Sequence, residues 1–249
     1  MTSQKLGPLN SQKSVQGERV AEAVFKSGDY QGAAELYYHL IQAYPESPAF
    51  WGRYADSLYG VGDAKGAIDA YRKAAEYSED PCLTSLGLGR SHLKLSRPVA
   101  ARVHFETCLA HESKNIEALK GLAITLDLAG LTSRSHVYYK KAIRTDPSDI
   151  VLQNNYGLSL MLAGQFDKAI TVLSALAFGP KSTVKIRQNL ALAFGLQGDD
   201  LAAEQILSLD FSDGIVRNNL QHYKIARHLK GENGLRYLLA RGGQGLEQK

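Results

Sequence analysis

The sequence lacks most of the features that mark membrane proteins, nucleic-acid-binding proteins and enzymes. No apolar run approaches the roughly 20 residues that cross a bilayer, and no block of lysine or arginine suggests nucleic acid or a membrane surface. Metal-ligand spacings, a glycine-rich phosphate loop and a nucleophile elbow are also missing. We therefore expect a non-enzymatic protein that has no cofactor, no metal ion and no nucleic-acid partner.

Proline and net charge are also scarce. Seven prolines in 249 residues favour helix, and 29 basic against 25 acidic residues leave a formal charge of only +4. From Met1 to Glu18 the chain stays polar, without the apolar stretch of roughly 7–15 residues that a secretory signal needs. Two interpretations remain open: the protein is cytosolic, or this is the mature part of an exported protein.

What the sequence does contain is a 34-residue repeat. Six copies begin near Ser14, Pro48, Cys82, Ile116, Ile150 and Val184. The eighth position of each copy is small: Ala21, Ala55, Gly89, Ala123, Gly157 and Ala191. So is the twentieth: Ala33, Ala67, Ala101, Ser135, Ala169 and Ala203. Small residues on two facing helices let the backbones approach closely, so each copy predicts a pair of packed helices.

Each copy also carries the signal for a break between its two helices. Glycine occupies position fifteen in five copies, and Ser96 replaces it in the third. Glycine ends the first helix because it accepts the left-handed backbone of a tight turn. Apolar residues at i, i+3, i+4 and i+7 on both sides indicate amphipathic helices. Pro45 and Pro147 should end the second helices of their copies.

The repeat unit, with its small residues and its Gly28-Asp29-Tyr30 turn, resembles the tetratricopeptide repeat over roughly residues 14–210. The resemblance implies an all-α fold, a right-handed α-solenoid of about six helical hairpins. The segment from Ile215 to Leu229 predicts a C-terminal capping helix, with a polar outer face that keeps an open-ended array soluble.

The repeat also defines the expected domain limits. We expect a flexible tail over residues 1–13, the repeat array with its capping helix over residues 14–230, and a second flexible tail over residues 231–249.

The first helices of such an array line a groove that we expect to bind a segment of another protein. The groove positions are two, five, nine and twelve of each copy, and asparagines at position six of the fifth and sixth copies are added to them. The candidate partner-binding residues are Leu86, Arg90, Leu93, Lys120, Ile124, Asp127, Asn154, Asn155, Leu158, Met161, Gln188, Asn189 and Leu192. Leucines beside polar groups suit an amphipathic or extended peptide. Asn155 and Asn189, with Asn219 in the capping helix, could hold a peptide backbone, or could instead pair with neighbouring backbone.

The two cysteines lie in one repeat. Cys82 is at position one and Cys108 at position twenty-seven of that repeat. In an antiparallel hairpin whose positions eight and twenty face each other, two positions that add up to 28 lie at the same level. Positions one and twenty-seven therefore lie opposite each other. Two interpretations stay open: a disulfide, which would indicate an oxidising compartment, or two buried free thiols that only pack.

A narrower resemblance concerns the last repeat. The segment Ile186-Arg187-Gln188-Asn189-Leu190-Ala191-Leu192-Ala193-Phe194-Gly195-Leu196-Gln197-Gly198, followed by Ala202-Ala203-Glu204, is similar to the C-terminal part of the TadD family of the tight-adherence (Flp) pilus machinery. The helix around Val216-Arg217-Asn218-Asn219-Leu220 is similar to the end of that family.

The TadD resemblance implies a pilotin-like outer-membrane lipoprotein that faces the periplasm. Its partner would be the pilus secretin, and its only membrane contact a lipid anchor. The alternative is a cytosolic adaptor or chaperone that binds a client peptide. A third possibility is the regulatory domain of a larger enzyme.

Overall fold

A computed structural model describes the backbone of residues 8–229 and the side chains from Val15 onward. The described chain is all-α. Its helices are α1 (Pro8–Lys26), α2 (Tyr30–Ala43), α3 (Pro48–Val61), α4 (Ala64–Tyr77), α5 (Pro81–Lys94), α6 (Pro98–His111), α7 (Ile116–Leu128), α8 (Thr132–Thr145), α9 (Ile150–Leu162), α10 (Phe166–Ala177), α11 (Val184–Gln197), α12 (Asp200–Leu207) and α13 (Asp213–Leu229). None of these helices is both long and apolar enough to cross a membrane.

The chain divides into two compact units between Thr125 and Leu126, within α7. In unit 1, each helix from α1 to α5 packs against the next in sequence. In unit 2, α8 to α12 do the same, and α13 packs against both α11 and α12. The predicted all-α array of helical hairpins with a C-terminal helix is therefore confirmed.

The turns inside the hairpins follow from short-range chemistry. Asp29, Asp63 and Asp199 cap their second helices, each accepting a hydrogen bond of 2.9 Å from the backbone N–H three residues on. Gly62 and Gly198 precede two of these caps with φ of 105° and 113°, a conformation in which a side chain would be strained. Ser96 adopts φ of 56° at the same position, so the turn geometry persists without glycine.

The small residues at position eight leave room for large side chains from the second helix. A Cβ atom on Gly89 would lie 2.7 Å from the Phe105 ring, and one on Gly157 would lie 2.7 Å from Leu173. Phe105 and Leu173 are fully buried. Close packing of this kind explains why the repeat has small residues here.

Two helices begin earlier than the sequence led us to expect. Helix α1 begins at Pro8, inside the stretch predicted as a flexible tail, and α13 begins at Asp213, two residues before Ile215. Residues 1–7 and 230–249, which include most of the predicted tails, lie outside the described residues.

Candidate functional site

Cys82 and Cys108 form a disulfide that joins the first turn of α5 to α6, with their Cα atoms 4.1 Å apart. The antiparallel hairpin brings positions one and twenty-seven level, as the spacing indicated. Glu112 lies beside the two sulfurs, and these three residues are the one group with metal-like spacing among the described residues. Because both sulfurs are in the disulfide, neither is available as the thiolate that a metal would need.

Five charged side chains on the first helices of unit 1 bind one another in a continuous chain, here called the charged ladder. Its members are Glu22, Arg53, Asp56, Arg90 and Glu117. Arg53 lies 3.3 Å from Glu22 and 3.7 Å from Asp56, while Arg90 lies 3.2 Å from Asp56 and 3.0 Å from Glu117. Arg90, a predicted groove residue, is therefore already occupied by two carboxylates of its own chain.

The other predicted groove residues of unit 1 are half-buried. Leu86 packs against the cluster that contains the disulfide and Ala118. Leu93, Lys120 and Ile124 retain partial exposure on their first helices. The face they share with the charged ladder offers few unengaged charges to a partner.

Asp127 serves the interior of unit 2. Its carboxylate accepts hydrogen bonds from the hydroxyl of Ser135 and, at 2.8 Å, from that of Ser159. Burial raises the pKa of Asp127, while hydrogen bonds from Ser135, Ser159 and Tyr139 act in the opposite direction. Ser135 stands where most repeats have alanine, and its hydroxyl is satisfied by this carboxylate.

We expected Asn155, Asn189 and Asn219 either to hold a peptide backbone or to pair with neighbouring backbone, and the three differ in how they are engaged. Asn189 donates to the side-chain oxygen of Asn154 at 2.8 Å, one repeat back, and Asn154 itself is buried. Asn219 donates to the carbonyl of Ile215 within its own helix at 2.9 Å. Asn155 has no side-chain hydrogen bond among the residues the structure describes.

Met161 requires a correction, because it is only 2% exposed and belongs to the hydrophobic core of unit 2. Position twelve of this repeat therefore faces the interior of unit 2. Leu158 and Leu192 lie half-buried at the edge of the same core. A charge at Leu158 would therefore damage the core as well as the groove.

Two consecutive first helices of unit 2, α9 and α11, carry polar side chains that have no partner among the described residues. We call Val151, Asn155, Lys185 and Gln188 the open face of α9 and α11. Val151 is 56% exposed, and within residues 15–229 Asn155, Lys185 and Gln188 have no side-chain partner. The open face thus combines an apolar contact, two half-buried amides and one cation, which suits the backbone and side chains of an extended segment.

Two histidines of repeat three stack inside unit 1. The rings of His92 and His104 are nearly parallel, with centroids 5.3 Å apart. Burial lowers the pKa of both, and each is further lowered by Arg72, with Arg97 acting on His92 and His92 acting on His104. Among the residues that the structure describes, Nδ1 of buried His92 has no hydrogen-bond partner, and its burial favours the neutral form of the pair.

We expect unit 1 to lose stability in mild acid. The unfolded histidines have a pKa of about 6.5 and the folded ones a lower value, so their contribution is complete above pH of about 6.5 and is lost as the pH falls. Urea unfolding at neutral and acidic pH, compared with the His92→Gln/His104→Gln variant, measures the difference. An equal acid loss in both proteins would contradict the assignment.

Comparison with known proteins agrees with this architecture. Residues 24–86 match the tetratricopeptide repeat family model. The fold is that of tetratricopeptide repeat proteins.

Three solved structures illustrate the likeness. A tetratricopeptide repeat protein from Parabacteroides merdae ATCC 43184 is 15% identical with a TM-score of 0.67, over 88% of this chain and 86% of that one. PilW, a widely conserved type IV pilus biogenesis factor, is 18% identical with a TM-score of 0.74, over 84% and 97%. YrrB, a tetratricopeptide repeat protein with an unusual peptide-binding site, is 19% identical with a TM-score of 0.55, over 70% and 90%. At these identities the likeness concerns the fold.

Proposed function

We propose that this protein is a non-enzymatic scaffold of Flp/Tad pilus biogenesis, a pilotin-like lipoprotein of the periplasmic side of the outer membrane. In this proposal the open face of α9 and α11 binds an extended segment of the secretin. The observation that supports it most directly is the pair of half-buried amides, Asn155 and Gln188, which have no side-chain partner in the described chain. Half-buried polar groups without internal partners are ready to bond to another chain.

Three further observations favour this role. The segment from Ile186 to Glu204 is similar to the TadD family. A pilus biogenesis factor, PilW, is among the proteins of like fold. The Cys82–Cys108 disulfide suits the periplasm better than the cytosol, where thiols are kept reduced, and so favours the exported protein over the cytosolic adaptor.

The groove proposal predicts that Val151→Asp abolishes secretin binding. Val151 is exposed at position two of α9, and a carboxylate there would have to be desolvated against the bound segment. Immobilised protein is incubated with detergent-solubilised envelopes of the source bacterium, and captured proteins are identified by mass spectrometry. We expect wild type to retain the secretin and Val151→Asp to lose it.

Val103→Asp is the matched control, because Val103 is 55% exposed, close to the 56% of Val151, but lies on second helix α6. It should capture the secretin as wild type does. Equal capture by all three proteins would exclude the open face as the binding site. In a matched experiment with whole-cell lysate, capture of cytosolic clients alone would support the adaptor function instead.

A further inference from the structure

Helix α8 (Thr132–Thr145) has a concentration of positive charge that the groove does not use. Arg134, Lys140, Lys141 and Arg144 are all exposed, and the helix contains no acidic residue. Lys140 and Lys141 are adjacent, but Arg134 and Arg144 stand apart from them, so the sequence shows no longer basic block. In the helix Arg144 lies beside Lys140 and Lys141, because residues three and four apart are neighbours. Arg134 lies about two turns before Lys141 on the same helix.

These cations are unpaired, unlike many elsewhere in the described chain. Helix α4, for comparison, holds Arg72 near Asp69 at 3.4 Å and Lys73 near Glu76 at 2.9 Å. Within residues 15–229, none of the four cations of α8 makes an ion pair or a side-chain hydrogen bond. Stabilisation of the helix dipole accounts for a cation such as Arg144 in the last turn, but not for Arg134 in the first.

Apolar and aromatic groups accompany the charge. Val137 is 52% exposed, and Lys141 lies 5.6 Å from the ring centroid of Tyr138, which is half-buried. Phe178 is 68% exposed and stands 34 residues after Arg144, at the same position of the next repeat. Cations interleaved with exposed apolar groups are typical of helices that lie on a membrane surface.

We propose that the basic face of α8, formed by Arg134, Val137, Tyr138, Lys140, Lys141 and Arg144, rests on an anionic phospholipid surface. The inference builds on the proposed function, since the face would act beside the proposed lipid anchor. One acyl chain gives only marginal membrane binding, and a polybasic patch is a recognised second signal. The sequence led us to expect a lipid anchor as the only membrane contact, and this proposal adds the basic face of α8 as a second one.

An anionic membrane suits this face better than an acidic peptide does. The cations lie along the outside of one helix from its first turn to its last, and all four are exposed. A layer of headgroups can reach all of them at once, and each basic residue near such a surface contributes about 1 kcal/mol. An extended peptide would need the amides that are found on the open face instead.

Vesicle co-sedimentation of the full, unlipidated chain tests the proposal. The probes are phosphatidylcholine vesicles with and without about three-tenths phosphatidylglycerol, at about 0.1 M and about 0.5 M salt. Wild type should bind the anionic vesicles at low salt only. Lys140→Glu/Lys141→Glu/Arg144→Glu should reduce the partition coefficient by roughly tenfold or more. Circular dichroism checks that the variant is folded. The corresponding triple Gln variant should also bind less, and it adds no negative charge at the C-terminal end of α8, where an acid would be unfavourable.

The control variant is Lys65→Glu/Lys114→Glu/Lys181→Glu, which makes the same change in net charge at three scattered exposed sites. It should keep most of the binding. Equal losses in both triple variants would show that net charge alone matters and would overturn the proposal. So would equal binding to both vesicle types, or binding of wild type to polyglutamate but not to vesicles, which would assign the face to an acidic protein.

The same variants separate this inference from the proposed function. Secretin capture by the α8 triple variant should equal that of wild type, and vesicle binding by Val151→Asp should be unchanged. If wild type captures the secretin but does not bind anionic vesicles, the proposed membrane contact is wrong and the proposed function is unaffected. If wild type binds anionic vesicles but does not capture the secretin, the pilotin role is contradicted and the membrane contact of α8 is still supported.

Discussion

Reduction of the Cys82–Cys108 disulfide is expected to lower the free energy of unfolding of unit 1 by about 3.5 kcal/mol. The bond closes a loop whose ends are 26 residues apart in sequence. Cross-linking a loop of this length removes conformational freedom mainly from the unfolded chain, which is the origin of the stabilisation. Both cysteines are almost completely buried, so the bond is protected while unit 1 is folded.

Urea unfolding with and without dithiothreitol measures this effect, with Cys82→Ala/Cys108→Ala as the control. Wild type should shift to lower urea on reduction, towards the midpoint of the double variant. The double variant should not respond to dithiothreitol. Thiol titration of the unfolded, unreduced protein should find no free thiol, and two free thiols with no shift on reduction would refute the disulfide.

The second large effect is expected from Gly87→Ala, which should destabilise unit 1 by roughly 3 kcal/mol, the upper part of the range for overpacking. A Cβ atom on Gly87 would lie 2.1 Å from a ring carbon of Tyr71. The ring cannot withdraw easily, because Tyr71 is buried and its hydroxyl donates to Asp56 at 2.5 Å. Moving the ring would also disturb the charged ladder, which contains Asp56.

Gly52→Ala provides the matched control in the same unit. Gly52 is also within a helix, but a Cβ there would meet nothing within 4 Å. This variant should gain roughly 0.5–1 kcal/mol, because glycine is unfavourable inside a helix. Thermal or urea unfolding of both variants measures the contrast, and similar stabilities for the two would show that Tyr71 does not pack as described.

Much of the architecture could be predicted from the sequence because it depends on local physics. The 34-residue period, the small residues at positions eight and twenty and the glycines at position fifteen encode the helices, their close approach and their turns. Residue type alone would not have located every turn, because Ser96 adopts the left-handed conformation that glycine has in the other repeats. The period alone was enough to place that turn.

The groove was harder, because repeat position tells only which side of a helix a residue occupies. Met161 has a groove position but is buried, because its side chain packs in the hydrophobic core of unit 2. Asn154 and Asn189 come from different repeats and satisfy each other, so neither is as free as its position suggested. The unpaired cations of α8 were missed as well, although a helix with four basic and no acidic residues was a usable signal.

The sequence by itself determined that this chain folds as an array of helical hairpins. It also placed the two cysteines opposite each other in one hairpin, without deciding whether they are bonded. Only the tertiary structure decided which polar groups are already engaged. It joined Cys82 to Cys108 and bound Arg90 to Asp56 and Glu117. It left Asn155 and Gln188 without a side-chain partner within residues 15–229. The physical reason is distance: a repeat period fixes spacing within a hairpin, whereas a hydrogen bond or ion pair depends on ångström-scale contacts between side chains of neighbouring repeats.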